Sequence, residues 1–147
     1  MRNTLYVEES LIHESMPRLL GDDWRDWLSY AEDDRREAHI AFERGSWREA
    51  CFHAQQACEK LLKAYLIKRG IFISTYDLGI LSDEVARYVK EVKELISELK
   101  QLTKHYFTAR YPNTARRLGV RYDENVASRC IQIMEKLWNM LRSRVLC

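Results

Sequence analysis

Four arginines follow one another closely and have the side-chain chemistry of a phosphate site. The stretch FTARYPNTARR (107–117) contains three of them, and the complete set is Arg110, Arg116, Arg117 and Arg121. A guanidinium group can hold a phosphate through two parallel hydrogen bonds, and a base can stack on the rings of Tyr106 and Tyr111. The same stretch also suits a simple helix end, because Pro112 stops a helix and a cation is favourable there.

The charge pattern around these arginines is local. Between Leu99 and Tyr122 the sequence has no acidic residue and six basic ones, although the whole chain carries a net charge of only +2. A basic patch on a nearly neutral protein suits a phosphate-bearing partner better than a membrane surface. A solvated loop would show the same composition, so both interpretations stay open.

A second polar group lies at helical spacing near the middle of the chain. His53, Gln56, Lys60 and Lys63 recur three or four residues apart, which places them in one stripe on a helix. One interpretation is a solvated face with a supporting ion pair from Glu59 to Lys63. The other adds Lys60 to the phosphate-binding residues.

The spacing of histidines and cysteines predicts neither a metal site nor a cofactor. His13, His39 and His105 have no ligand spacing to one another or to a cysteine, which favours surface or interface positions. The cysteines lack a paired pattern, so we expect them to be reduced and mostly buried, although a disulfide stays open if the source is a hyperthermophile. They are Cys51, Cys58, Cys130 and Cys147.

Composition and periodicity predict an all-α fold. The 147 residues are 46% hydrophobic and 31% charged with only five Gly and two Pro, which is typical of a helix-rich single domain. Apolar spacing predicts four long helices, at about 23–44, 46–70, 82–106 and 123–141. Gly45 and a capping box from Ser46 to Glu49 should separate the first two, and 70–78 should be a linker.

The predicted organisation is an N-terminal arm or helix at 1–22 and a bundle at 23–147. No apolar run approaches the ~20 residues of a membrane span. The N-terminal residues lack the apolar core of a signal peptide, which predicts a cytoplasmic protein.

Three segments together resemble the HEPN family of small helical proteins. They are FHAQQACEKLLKAYLIKRG (52–70), STYDL (74–78) and YFTARYPN (106–113), and the resemblance spans about residues 24–143. It implies an antiparallel up-and-down bundle of four to five helices, commonly a homodimer. It also implies nucleotide or RNA chemistry and a minimal nucleotidyltransferase as partner, in the manner of a toxin–antitoxin pair.

This sequence departs from the family at the catalytic motif. Many HEPN ribonucleases carry an Arg followed after four to six residues by a His, but the positions that follow Arg110 at this spacing are Ala115, Arg116 and Arg117. Arginine cannot deprotonate, so it cannot replace a histidine in proton transfer. Arg48 and His53 do have the spacing, but they lie at the start of the second helix, and we interpret the match as chance.

The sequence therefore favours a binding protein over an enzyme. The predicted phosphate-binding residues are Arg110, Tyr111, Arg116, Arg117, Lys60 and Tyr106. One alternative is an atypical metal-independent ribonuclease in which His53 or His105 carries the proton. The other is a non-catalytic helical adaptor that binds no nucleotide.

Overall fold

The first two helices form a long hairpin. The computed structural model describes the chain from residue 16 and its side chains from residue 23, so most of the predicted arm lies outside the described residues. Helix α1 (Met16–Glu43) continues through Gly21, and helix α2 is Trp47–Lys68. Gly45 joins them with a positive φ of 77°, as predicted. The capping box is wrong, because the Ser46 side chain makes no capping hydrogen bond.

The rest of the described chain is also helical. Residues 71–77 form the predicted linker, and Asp77 caps the helix that follows by accepting hydrogen bonds from the backbone of Gly79 and Ile80. The elements after the linker are α3 (Leu78–Ala86), a 3₁₀ helix (Lys90–Leu95), α4 (Ile96–Thr103), α5 (His105–Thr108), α6 (Pro112–Leu118) and α7 (Glu124–Leu146).

The prediction of one continuous third helix at 82–106 is wrong. The chain leaves helical geometry at Val89, whose φ and ψ of −123° and 93° are extended. The β-branched Val89 and Val92 favour this break, since they are stiffer in a helix than Leu or Ala. The apolar residues that suggested one helix still face inward for the most part, because each short piece turns its own apolar side chains towards the core.

Contacts between helices show in which direction each helix runs relative to its neighbours. Arg35 of α1 pairs with Glu135 of α7, and Glu32 pairs with Arg142, so these two helices are antiparallel. Lys68 at the end of α2 donates to the carbonyl of Val145 at the end of α7. Ion pairs also show that the limb formed by residues 78–103 runs opposite to α7. The bundle is therefore up-down-up-down, and the prediction of an all-α bundle is confirmed.

Helix α2 is the centre of this bundle. Small residues, including Ala50, Cys51, Ala54, Ala57 and Cys58, are at most 1% exposed, and they let neighbouring helices approach closely. Trp24 and Trp138 complete the core at the outer helices. Among the described residues, no helix combines the length and apolarity that crossing a membrane requires.

Candidate functional site

A cavity lies where the first turns of α2 meet the end of α5. Its volume is about 400 Å³, and it combines two arginines and a histidine with an aromatic ring. Residues far apart in the sequence thus come together at one site. The lining residues are Arg48, Glu49, Phe52, His53, Ala109 and Arg110.

Arg110 is held in place at the edge of this cavity. Its Nε donates to the carbonyl oxygen of Tyr106 at 2.9 Å, and its guanidinium carbon lies 4.4 Å from the centre of the Tyr106 ring. The rings of Tyr111 and Phe52 lie 5.4 and 5.5 Å from the same carbon. These are cation–π distances. Within the described part of the chain its terminal nitrogens make no hydrogen bond, so they can donate to an anion.

The two predicted stacking tyrosines differ in accessibility. Tyr106 stacks on Tyr76 at 4.3 Å with nearly parallel rings, and Arg110 also lies against its ring. A base would have to displace one of these contacts. Tyr111 is 47% exposed, so its ring is the more accessible of the two.

His53 reaches the cavity from α2 and is oriented by a carboxylate behind it. Its Nδ1 lies 2.9 Å from Oδ1 of Asp34 on α1, and the Lys60 ammonium donates to the other oxygen. Because Nδ1 faces a carboxylate, it carries the proton in the neutral ring and Nε2 is left as an acceptor. This is the arrangement of an oriented general base.

The pKa of Asp34 reflects these contacts. Burial alone would raise it, but the hydrogen bonds from His53 and Lys60, together with the positive charge of Lys60, lower it below the ordinary value. The carboxylate therefore stays ionised. Lys60 belongs to this network, so its amine is already paired with Asp34. It does not line the cavity.

The polar stripe on α2 is partly buried, although a solvated face was the simpler interpretation: Lys63 is buried, and His53, Gln56 and Lys60 are half-buried. Glu59 and Lys63 are 8% and 7% exposed, and the predicted ion pair between them has a distance of 2.8 Å. Gln55 is fully buried and donates to the carbonyl oxygen of Tyr76 at 3.1 Å. This hydrogen bond of Gln55, which lies beside the stripe, connects the linker to α2.

The four arginines do not share one cavity. Arg116 and Arg117 lie on the exposed helix α6, and the structure gives neither an ion pair among the described residues. Arg121 lines a different cavity, beside His105. The predicted cluster therefore divides into a cavity residue, two surface cations and a residue of a second cavity.

The spacing of His105 suggested a surface or interface position, but the structure buries this residue. It is 3% exposed, and its Nδ1 lies 2.6 Å from the Tyr122 hydroxyl, which in turn lies 2.6 Å from the Thr108 hydroxyl. The α5 turn places its ring in the core, away from the Arg110 cavity. It therefore does not reach a ligand bound at Arg110.

His105 also belongs to a cluster that the sequence spacing missed. Its ring nitrogen and the sulfurs of Cys51 and Cys130 lie within 4.8 Å of one another, as metal ligands can. The two sulfurs, however, are only 2.8 Å apart. Two thiolates on a tetrahedral zinc, each at about 2.3 Å from the metal, would lie about 3.8 Å apart. The arrangement is tighter than zinc requires.

The two thiols of this cluster differ in acidity. A hydrogen bond from Cys51 and another from His105 lower the pKa of Cys130 to about 6. The neighbouring Cys130 and burial raise the pKa of Cys51. The pKa values of the two thiols are therefore shifted in opposite directions.

Comparisons with known proteins agree with this fold. The family model described as HEPN domain matches residues 24–144. The chain belongs to the HEPN family.

Two solved structures and one further sequence are similar to this HEPN chain. TT1696 from Thermus thermophilus has a TM-score of 0.74 at 27% identity, covering 84% of this chain and 98% of that one. ST0689, an archaeal HEPN homologue, has a TM-score of 0.65 at 26% identity, with 83% and 97% covered. "Putative toxin MJ1304" of Methanocaldococcus jannaschii is 26% identical over 96 residues, which are 58% of this chain and 61% of that protein.

Two residues of this candidate site were missed or set aside in the sequence. Arg48, whose spacing to His53 we interpreted as chance, lines the same cavity as His53 and Arg110. Asp34 was not named among the candidate residues, yet it is only 9% exposed and pairs with His53. The spacing of Arg48 and His53 was the available signal for the first, and no sequence pattern marked the second.

The Asp34 network predicts a pH-dependent contribution to stability. Asp34→Asn should lower the free energy of unfolding at pH 7 by about 1–3 kcal/mol, because hydrogen bonds to a charged group are lost. The folded pKa is depressed, so this stabilisation is full above the unfolded value of about 3.9 and disappears as pH falls through the folded value. Urea unfolding from pH about 7 down to about 3 should show the two curves converging.

Asp33→Asn is the matched control for this prediction. Asp33 is the preceding residue and pairs with Arg36 at the surface, so the change should cost less than about 1 kcal/mol. A difference between wild type and Asp34→Asn that stays constant with pH would contradict the assignment.

Proposed function

We propose that this chain is a toxin-like HEPN protein whose Arg110 cavity binds a phosphate of RNA or of a nucleotide. The observation that carries the proposal is the convergence of Arg48, His53 and Arg110 on one cavity. The description of the M. jannaschii relative as a toxin supports the biological role.

The chemistry of the cavity suits a phosphodiester. Arg110 presents free guanidinium donors over aromatic rings, and Arg48 adds a second cation on the facing helix. Phosphate oxygens accept hydrogen bonds from such a pair, and Phe52 and Tyr111 offer apolar surface to a sugar or base. The exposed Arg116 and Arg117 extend the positive charge beyond the cavity and would attract a longer strand.

RNA cleavage is a second candidate, because the geometry supplies a general base as well as a phosphate clamp. His53 has its Nδ1 fixed by Asp34 and shares a cavity with Arg110. The Nε2 atom would take the proton of a ribose 2′-hydroxyl, and the guanidinium would stabilise the charge that develops on the phosphate. Such cleavage needs no metal ion.

We also propose a homodimer, a cytoplasmic location and a minimal nucleotidyltransferase as partner. Membership of the family and the toxin description of a relative support the homodimer and the partner. An antitoxin that modifies or masks the cavity would control access to RNA.

Replacement of Arg110 should weaken RNA binding. We expect Arg110→Ala to reduce the affinity for a fluorescent single-stranded RNA about tenfold, the effect of one charge-assisted contact. Fluorescence anisotropy at low and high salt would measure it, and the salt dependence should also become less steep.

Arg117→Ala removes an equal charge outside the cavity and serves as control. We expect Arg117→Ala to lower the affinity for RNA less than Arg110→Ala does, because Arg117 does not line the cavity. Equal losses in both variants would mean that RNA meets only the general positive surface. Circular dichroism would confirm that both variants are folded.

Replacement of His53 tests the catalytic candidate. Purified protein with a chelator should cut RNA, and His53→Ala should lower the rate by about 100-fold or more, as for loss of a general base. His39→Ala is the matched control, since His39 is a half-exposed histidine that pairs with Glu135 on another face. If the wild type does not cut, the protein only binds; if both variants cut at the wild-type rate, His53 is not the general base.

Native mass spectrometry of the protein captured gently from its own cell lysate tests the assembly. We expect a dimer carrying a nucleotidyltransferase, identified from its peptides. A monomer with no bound protein would contradict both parts of the assembly proposal, without affecting the cavity itself.

A further inference from the structure

Two buried cysteines from distant parts of the chain face each other between α2 and α7. The sulfurs of Cys51 and Cys130 lie 2.8 Å apart although the residues are 79 positions apart in sequence. They are 0% and 2% exposed. A disulfide has a sulfur–sulfur distance of about 2.05 Å, so an approach of less than about 1 Å would join them.

A cavity is lined by one of these cysteines and not by the other. Its volume is about 390 Å³, and it is lined by Cys130 and His105 but not by Cys51. The lining includes Lys104, Arg121 and Arg129 and no carboxylate. Arg129 forms an ion pair with Glu98 at 3.5 Å. Lys104 and Arg121 are therefore the two cations of this cavity that remain to contact a ligand.

We propose that Cys51 and Cys130 are a redox-active dithiol, oxidised to a disulfide by a small anionic disulfide that enters this cavity. Cys130 is the attacking sulfur because it faces the cavity. Cys51 is the resolving sulfur because it lies directly behind Cys130 and is closed to solvent.

The reaction is a balanced pair of exchange steps. The Cys130 thiolate attacks one sulfur of the small disulfide, whose S–S bond breaks and releases one thiolate, leaving a mixed disulfide on Cys130. Cys51 then loses its proton and attacks Cys130, which forms the protein disulfide and releases the second thiolate. Two protein thiols are oxidised and one disulfide is reduced to two thiols; the released thiolates take up the proton lost by Cys51 and, from solvent, the proton that Cys130 lost when it ionised.

The third buried cysteine provides a contrast within the same helix. Cys58 is 1% exposed like the reactive pair, but it lines neither of these cavities, and burial raises its pKa. It should therefore stay reduced under conditions that oxidise the pair. Its behaviour separates specific exchange from general oxidation.

The experiment uses the full-length chain with Cys147→Ser, because Cys147 is an exposed free thiol that would react by itself. The folded protein is treated with oxidised glutathione, denatured, alkylated and analysed by mass spectrometry. We expect loss of two hydrogen atoms, a linked pair of peptides containing Cys51 and Cys130, and alkylation of Cys58 only. The linkage should raise Tm on the order of 10 °C.

Single replacements in the same background assign the order of the steps. Cys51→Ala should accumulate glutathione on Cys130, because the resolving sulfur is missing. Cys130→Ala should leave Cys51 unmodified, because Cys51 is 0% exposed and does not line the cavity that Cys130 lines. Cys58→Ala should behave like the parent protein, and circular dichroism would show that each variant is folded.

Cystamine carries the same disulfide bond with positive charges, so it tests the cationic cavity. Oxidised glutathione should react at least several-fold faster, and added salt should reduce that advantage. Faster reaction with cystamine would overturn the assignment of an anionic oxidant.

Two results would overturn the dithiol itself. One is full alkylation of all three remaining thiols after glutathione treatment. The other is retention of one equivalent of added zinc through gel filtration, with the pair protected from alkylation and no disulfide formed, which would make the cluster a metal site.

Discussion

The burial of α2 is the constraint on which the rest of this structure depends. A helix surrounded by others cannot leave polar side chains unpaired, because each unpaired group would carry a desolvation cost of about 1–3 kcal/mol. Gln55, Glu59 and Lys63 accordingly bond to one another or to the linker. Asp34 comes from α1 to meet the polar groups that α2 turns towards it. The position of the linker and the orientation of His53 are both results of this requirement.

One short helix and the residues that follow it contribute to both the cavity and the thiol cluster. α5 is four residues long, yet it directs His105 into the core and is followed directly by Ala109 and Arg110 at the cavity. Hydrogen bonds between the Tyr122 hydroxyl and the side chains of His105 and Thr108 anchor this turn to the segment before α7. Such anchoring explains how an arginine outside regular helix can keep a defined position.

Sequence periodicity predicted the long helices well, because burial of an apolar stripe repeats along a helix. It failed at residues 82–106, where the same spacing is satisfied by short pieces on either side of an extended Val89. The site was less accessible to prediction. Arg110 and His53 were named, but their proximity depends on how α5 packs on α2, which no local pattern encodes. Asp34 and the Cys51–Cys130 pair join residues far apart in sequence, so spacing alone could not reveal them.

The ring contacts around Arg110 have a consequence for the entropy of binding. An exposed arginine samples many rotamers, and fixing it on a ligand costs about 1 kcal/mol of conformational freedom. Here the carbonyl of Tyr106 and three aromatic rings already restrict the side chain in the folded protein. Most of this conformational freedom is therefore already lost when the protein folds. The guanidinium is already oriented when an anion enters the cavity.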